Sequence, residues 1–354
     1  MFSLEGWAYD AGTMGSGTTL RAAFAHTKAG HCGSGSLRDL LAFEGLDFGA
    51  GPLSEGMVFG LGGGLGFLYT PVADQPQRFY LVGRTATMER DFAAHLGIPL
   101  EVLETEDPAT GWGWVRDAID DRRPLMVLAD IQRLEYLRVR MQNTQHAIVV
   151  VDYSADEGVA WIADNDRDEL EPCSLESLAS ARHSPGFPGP NRHRTFDYTW
   201  PAALPDPAGA VRAAVATAVR NMQGGGDPLG GLKDAGTGLA GVAQFAAAYP
   251  SWPDAFGDDL PAALAGLRVF VVKAGTGGAM FRSLHAEFLH DAAAVLDDRA
   301  LGRLGEVYDQ LAAAWVALAE AAAAGDHAGG AGAVAVIRQL EPAGVAGMQA
   351  WLAS

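Results

Sequence analysis

Two β-rich runs, HAIVVVDY at 146–153 and VAWIAD at 159–164, decide the fold of the region around them. The segment SADEG between the runs is rich in turn-forming residues, so the pattern predicts a β-hairpin. His146 opens the more apolar strand, and a strand end is a place from which a side chain can project off a rigid scaffold.

The register of this hairpin brings polar residues toward His146. A turn centred near 155 or 156 places His146 opposite Asn165 or Asp166. Because side chains alternate along a strand with a period of two, Asp164 shares a face with Asp166. We therefore predict a carboxylate beside His146, and register alone leaves Asp164, Asn165 and Asp166 open as the residue that orients the ring.

Upstream of the hairpin, short apolar runs alternate with helical patterns. This alternation predicts an α/β domain. The expected strands are FYLV at 79–82, PLEVLE at 99–104 and PLMVLAD at 124–130, and the expected helices lie near 88–96 and 114–120.

Downstream, the stretch 183–207 is crowded with Pro and aromatic residues and predicts a linker. The length of 354 residues also exceeds one comfortable core, which favours two domains. We expect an extension at 1–25, an α/β domain at 26–200 and an all-α domain at 201–354. The helices expected in the last domain are 208–222, 239–249, 260–272, 279–296, 300–324 and 333–352.

Cys32 is the first candidate for chemistry, in the segment HCGSGSLRDLL. Apolar residues spaced for a helix follow it, and Gly45 is placed to cap that helix. A thiol at a helix N-terminus is near unpaired backbone N–H groups, which stabilise a thiolate and could also receive an oxyanion. The alternative is that Cys32 is a small buried apolar residue, the commonest environment of a cysteine.

His146 is the natural partner for Cys32, because a nucleophile, a base and an acid that orients the base form a catalytic set. Taken alone, His146 could equally be a structural histidine. Cys32 and Cys173 are the two cysteines, which indicates a reducing compartment, and we expect a cytoplasmic protein without a membrane span.

Three motifs give the sequence a resemblance to a known family. They are GHCGSGSLRDLLAFEGLDF at 30–48, LSEGMVFGLGGGLGFLYTP at 53–71, and QHAIVVVDY with WIADND between 145 and 166. In this order they resemble the N-terminal domain of the BtrH-like family of butirosin biosynthesis, a papain-like group of cysteine-protease type. The segment KAGTGGAMFRSLHAEFL at 273–289 is similar to the helical domain of unknown function that follows in that family.

The resemblance implies an acyltransferase that takes an aminoacyl group from the thioester of an acyl carrier protein and passes it to an amine. Cys32 would be the nucleophile and His146 the base, and the orienting acid would be Asp164 with Asp166 second. Papain-like enzymes usually place a Gln shortly before the Cys to complete the oxyanion hole. Residues 20–31 contain none, so His31 or backbone amides such as that of Gly33 would substitute.

Glycine-rich and basic segments supply further candidates for binding. FGLGGGLGF at 59–67, with Gly62, Gly63 and Gly64, fits no dinucleotide motif and favours close approach of the backbone to a substrate or to neighbouring chain. GTGGAMFR at 275–282 could hold a phosphopantetheine phosphate through Arg282, although a plain helix start is the simpler interpretation. RHR at 192–194 is a candidate docking spot for an acidic carrier protein.

The formal net charge of −18 argues against nucleic acid as a partner and favours a cationic small acceptor. We expect no metal or nucleotide cofactor, since phosphopantetheine would arrive only on the donor. The alternatives are a cysteine peptidase or amidase, in which water attacks the acyl enzyme, and a non-catalytic binding module. The alanine-rich C-terminal helices could also pair subunits into a homo-oligomer.

Overall fold

The computed structural model of the chain describes residues 19–72, 77–225 and 236–354. Most of the extension predicted at 1–25 lies outside these residues. The part of it that is described contains a short helix, α1 (Leu20–Ala23).

Nine strands lie within the described residues, and most are short. In chain order they are β1 (Leu65–Pro71), β2 (Phe79–Arg84), β3 (Leu100–Leu103), β4 (Leu125–Ala129), β5 (His146–Ser154), β6 (Val159–Ala163), β7 (Glu171–Ser174), β8 (Thr195–Tyr198) and β9 (Gly236–Thr237).

The two longest α-helices of the described residues are the last two of the chain. After α1, the α-helices are α2 (Cys32–Glu44), α3 (Glu55–Leu61), α4 (Met88–Leu96), α5 (Pro108–Asp120), α6 (Leu175–Arg182), α7 (Pro207–Arg220), α8 (Gly238–Ala248), α9 (Trp252–Phe256), α10 (Leu260–Val272), α11 (Arg282–Leu296), α12 (Arg299–Ala323) and α13 (Ala331–Ala353).

The chain divides into two compact units that are not contiguous in sequence. The first unit combines Met1–Leu46 with Pro99–Trp200, and the second combines Asp47–Ile98 with Pro201–Ser354. This differs from the contiguous ranges 26–200 and 201–354 expected from the sequence, because the segment 47–98 packs with the C-terminal helices. One boundary between the units falls between Trp200 and Pro201, inside the stretch 183–207.

The first unit is built on a six-stranded sheet with the order β3-β8-β4-β5-β6-β7. Neighbouring strands are antiparallel throughout. The mixed α/β class is therefore confirmed. The hairpin is also confirmed: β5 pairs with β6, Val150 lies opposite Ile162, and an irregularity follows before Asp152 pairs with Trp161.

Helix α2 packs against β5, the central strand that His146 opens. Its core-facing residues are fully or almost fully buried, as the apolar spacing predicts. The helix ends at Gly45, which adopts a left-handed conformation with φ of 68°. Glycine has no Cβ and therefore adopts this conformation without steric strain. The prediction of a glycine-capped helix beginning next to Cys32 is confirmed.

The second unit contains a three-stranded antiparallel sheet, β2-β1-β9, among the remaining helices. All six predicted C-terminal helices are present within a few residues of their expected ends. The prediction of an all-α region at 201–354 misses β9. Its two residues pair with β1 from the earlier part of the chain, and no local sequence pattern predicts this pairing.

The glycine-rich motif allows helix and loop backbones to approach each other closely inside the second unit. A Cβ on Gly60 would lie 1.8 Å from the ring of Phe288 in α11. Gly62, Gly63 and Gly64 are buried, and a Cβ on any of them would collide with a neighbouring side chain. The reading of this motif as close backbone packing is supported, whereas a substrate-binding role for these three glycines is not.

Arg282 opens α11 and is fully buried, at 0% exposure. Its Nε donates to Glu341 Oε1 at 2.8 Å, and its Nη1 donates to the carbonyl oxygens of Gly66, Gly83 and Met280 at 2.9–3.1 Å. The phosphate-binding role considered for Arg282 is therefore wrong, because a phosphate could not reach this guanidinium. Within the described residues, no helix is both long and apolar enough to cross a membrane.

Candidate active site

Cys32 is the first residue of α2 and is partly exposed. The preceding residue, His31, caps the helix: the backbone N–H of Ser34 donates to His31 Nδ1 at 3.3 Å. The first amides of a helix have no partner inside it. With the Ser34 amide taken by the cap, the amides of Cys32 and Gly33 remain at the end of the helix where the sulfur lies.

His146 and Asp164 lie together at one end of the β5–β6 hairpin. His146 is 8% exposed and Asp164 is fully buried. The Nε2–H of His146 donates to Asp164 Oδ2 at 2.9 Å. The predicted carboxylate beside His146 is thus present, and it is Asp164.

The other two candidates for that position have different contacts. Asp166 is exposed and forms an ion pair with Arg167 at 3.0 Å. The side-chain amide of Asn165 donates to the Ala29 carbonyl oxygen at 3.2 Å. Neither of them orients His146.

His31 and His146 both lie beside Cys32, and the side chain of His146 hydrogen-bonds to the sulfur. Because Nε2 of His146 is committed to Asp164, its Nδ1 is the nitrogen left for the sulfur. Burial raises the pKa of the Cys32 thiol, but the neighbouring His31 and His146 lower it by more and hold the pKa well below its usual range. The site therefore favours a thiolate.

The pKa of His146 moves in the complementary direction. Burial lowers it, but the charge and hydrogen bond of Asp164, together with Cys32, raise it well above the usual value. Burial raises the pKa of Asp164, whereas the charge and hydrogen bond of His146 lower it by more. Near neutral pH these shifts describe a thiolate beside an imidazolium whose second N–H is held by a carboxylate.

Tyr136 is a member of the site that the sequence did not reveal. Its hydroxyl donates to Asp164 Oδ2 at 2.8 Å, the same oxygen that accepts from His146. Burial, followed by the charge of Asp164, raises the pKa of Tyr136 well above its usual value, so the hydroxyl stays a donor. Tyr136 follows β4 in an irregular segment, where neither spacing nor periodicity marks it.

The loop that begins at Asp164 is hydrogen-bonded to the segment that precedes Cys32. The N–H of Ala29 donates to the Asn165 carbonyl oxygen at 2.9 Å, and the Asn165 side chain returns a bond to Ala29. A Cβ on Gly35 would lie 2.4 Å from the Cβ of Ala29. Glycine at 35 therefore lets this segment lie close against α2.

His26 forms a second set of hydrogen bonds between the segment before Cys32, helix α2 and the loop after Asp164. Its Nδ1–H donates to Asp39 Oδ2 at 2.6 Å and its Nε2–H donates to the Arg167 carbonyl oxygen at 3.1 Å. Burial lowers the pKa of His26, but its bonds to Asp39 and to the backbone raise it overall. Since both partners can only accept, the geometry requires an imidazolium at this position.

Cys173 provides a contrast with Cys32. It lies in β7, fully buried. Burial raises the pKa of the Cys173 thiol to about 11, so it is a structural residue. In the described part of the chain, no cluster of His, Cys, Asp and Glu side chains has the arrangement of a metal site.

A thiol, an imidazole and a carboxylate in a hydrogen-bonded series on a mixed α/β unit define a cysteine, histidine and aspartate site. Residues 31–165 match the family model of butirosin biosynthesis protein H, N-terminal, and residues 176–348 match a domain of unknown function, DUF4872. The chain belongs to the BtrH-like family, in which these two domains follow one another. No curated protein matches the sequence.

Proposed function

We propose that the protein is an acyltransferase that forms an amide through a thioester on Cys32, on a papain-like N-terminal fold. The observation that carries this proposal is the partly exposed Cys32 at the start of α2, bonded to a histidine that Asp164 orients. The family name supports a biosynthetic enzyme of specialised metabolism. We place the enzyme in a reducing compartment such as the cytoplasm, because Cys32 and Cys173 are both free thiols.

In the first half-reaction, the Cys32 thiolate attacks the carbonyl carbon of an acyl thioester. A carbon–sulfur bond forms, and the carbonyl oxygen becomes an oxyanion that the backbone amides of Cys32 and Gly33, with His31 beside them, are placed to receive. The intermediate expels the donor thiolate, which takes a proton from His146. The acyl group is then held on Cys32 and the donor leaves as a free thiol.

In the second half-reaction, an amine attacks the acyl carbon and His146 accepts the proton that the nitrogen loses. The carbon–sulfur bond breaks, the amide leaves, and the Cys32 thiolate and His146 imidazolium are restored. Asp164 stabilises the imidazolium in both halves. The net charge of −18 favours an amine acceptor that is itself cationic. The donor is an acyl carrier protein or a similar thioester, and phosphopantetheine is needed only as part of that donor.

Intact-mass analysis after mixing with acyl thioesters tests the proposal. We expect a mass increase equal to the acyl group, absent in Cys32→Ser and retained in Cys173→Ser. Adding amines should remove the adduct and produce the amide. Decay of the adduct to free acid at the same rate with and without amines would show a hydrolase instead, and the absence of any adduct on Cys32 would exclude covalent acyl transfer.

A further inference from the structure

Large apolar side chains are exposed on two loops of the first unit. Val139 and Met141 in the loop 137–145 are 37% and 52% exposed, and Phe187 in the loop 184–190 is 52% exposed. Large apolar side chains on a protein surface mark interaction sites when they are grouped.

The two loops are joined by hydrogen bonds. The N–H of Phe187 donates to the side-chain oxygen of Gln142 at 3.3 Å, and the N–H of Thr144 donates to the Phe187 carbonyl oxygen at 3.0 Å. The exposed apolar side chains therefore lie on two adjoining loops. We call the surface of these loops the basic apolar patch, formed by Arg138, Val139, Arg140, Met141 and Phe187.

The charge of this patch is opposite to that of the chain. Arg138 and Arg140 are exposed and take part in none of the ion pairs formed by the described residues. The stretches 137–145 and 184–190 contain no Asp or Glu, in a chain with 43 acidic residues. An acidic partner that the whole chain repels could approach here.

The patch is connected along the chain to the candidate active site. The loop that carries its two arginines begins after Tyr136 and ends before His146. Both of these residues donate to Asp164 Oδ2, at 2.8 and 2.9 Å. A partner bound on this loop would thus be anchored close to the proposed site of acyl transfer.

We infer that the basic apolar patch is the docking surface for an acidic acyl carrier protein. The assignment rests on the proposed acyl transfer, to which it adds the place where the donor binds. Arg138 and Arg140 would meet carboxylates of the carrier, and Met141 with Phe187 would cover apolar surface beside its phosphopantetheine arm.

The basic segment RHR, which the sequence offered for this role, is already neutralised. Arg192 pairs with Glu106 at 3.0 Å and Arg194 pairs with Glu104 at 2.6 Å. His193 between them is buried. These two arginines therefore provide a matched control, because they are cationic and belong to the same unit but lie outside the patch.

Binding of purified holo acyl carrier proteins to the full-length protein tests the assignment without requiring chemistry. For the carrier that binds most tightly, we expect R138E/R140E to raise Kd about tenfold or more at low salt, and R192E/R194E to leave it within about twofold. M141S/F187S should also weaken binding, with a smaller dependence on salt. Circular dichroism of each variant should match the parent.

Two results would overturn the docking surface: no carrier binding at micromolar concentrations, or equal weakening by R138E/R140E and R192E/R194E. Failure of the proposed function is recognised separately, by the absence of an acyl adduct on Cys32 with a free pantetheine thioester as donor. If that adduct forms while the patch variants bind carriers normally, the acyl transfer stands and the docking surface does not.

Discussion

The two compact units each contain a buried ionic cluster, and the clusters differ in what their charges contact. In the first unit, His146 and Asp164 form a series that ends on Cys32, a residue that keeps part of its surface exposed. In the second unit, Arg282 and Glu341 are both fully enclosed, and the guanidinium also donates to three carbonyl oxygens. The cluster in the first unit ends at a nucleophile, whereas the cluster in the second unit is surrounded by backbone carbonyl groups.

This difference distinguishes a candidate active site from a structural ion pair. The presence of buried charged groups does not, because both clusters contain them. Sequence patterns made both Cys32 and Arg282 candidates, because each lies near the start of a helix with glycines beside it, after Cys32 in one case and before Arg282 in the other. A helix N-terminus offers free amides in either case. Of the two residues, only Cys32 keeps part of its surface exposed, and the following variants test that distinction.

The largest effect is expected for Asp164→Asn. The amide keeps the shape of the carboxylate but removes the charge that stabilises the His146 imidazolium, so the rate of Cys32 acylation should fall by about 10³ to 10⁴-fold. Single-turnover acylation by an acyl thioester measures it, with Asp166→Asn as the control because Asp166 is exposed and contacts Arg167. Equal losses in the two variants would contradict the assignment of Asp164.

Arg282→Met is expected to act on stability and to cost about 3–5 kcal/mol of the free energy of unfolding. The substitution leaves the Glu341 carboxylate buried without its cation and frees three carbonyl oxygens. Denaturant unfolding measures the loss. The double variant Arg282→Met with Glu341→Leu should recover part of it, since no unpaired charge remains. A loss below about 1 kcal/mol in the single variant would show that the pair is dispensable.

The reactivity of Cys32 with iodoacetamide should show the pKa shift directly. Its pKa lies below the usual thiol range, so the thiolate is present above that lowered pKa and alkylation persists at about pH 6. His146→Gln removes a hydrogen bond and a positive charge, and alkylation at about pH 6 should fall about 10- to 100-fold. Measuring both proteins on a Cys173→Ser background assigns the signal to Cys32. Alkylation of the parent that rises only above about pH 8 would contradict a low pKa.

Local patterns predicted the hairpin, the helices and the residues at their ends. Periodicity placed His146 at a strand end and brought a carboxylate next to it, because the register of a hairpin follows from its turn. Periodicity could not choose between Asp164 and Asp166, since the choice depends on where the sheet continues beyond β6 and which residues face solvent. It also could not assign 47–98 to the second unit, because that association depends on contacts with distant helices.

Tyr136 is another residue of the site that local sequence patterns could not predict. Its substitution is expected to have the smallest effect. Tyr136→Phe removes the hydroxyl that donates to Asp164 Oδ2 at 2.8 Å but keeps the ring. Loss of one hydrogen bond to a charged group corresponds to about 1–2 kcal/mol, or roughly a 5- to 30-fold slower acylation of Cys32. Oδ2 of Asp164 then accepts a hydrogen bond from His146 alone, so the pKa of His146 should rise rather than fall, and the alkaline limb of the pH–rate profile should move to higher pH. A purely structural role would slow acylation without moving that limb, and a shift to lower pH would show that Tyr136 does not act through Asp164.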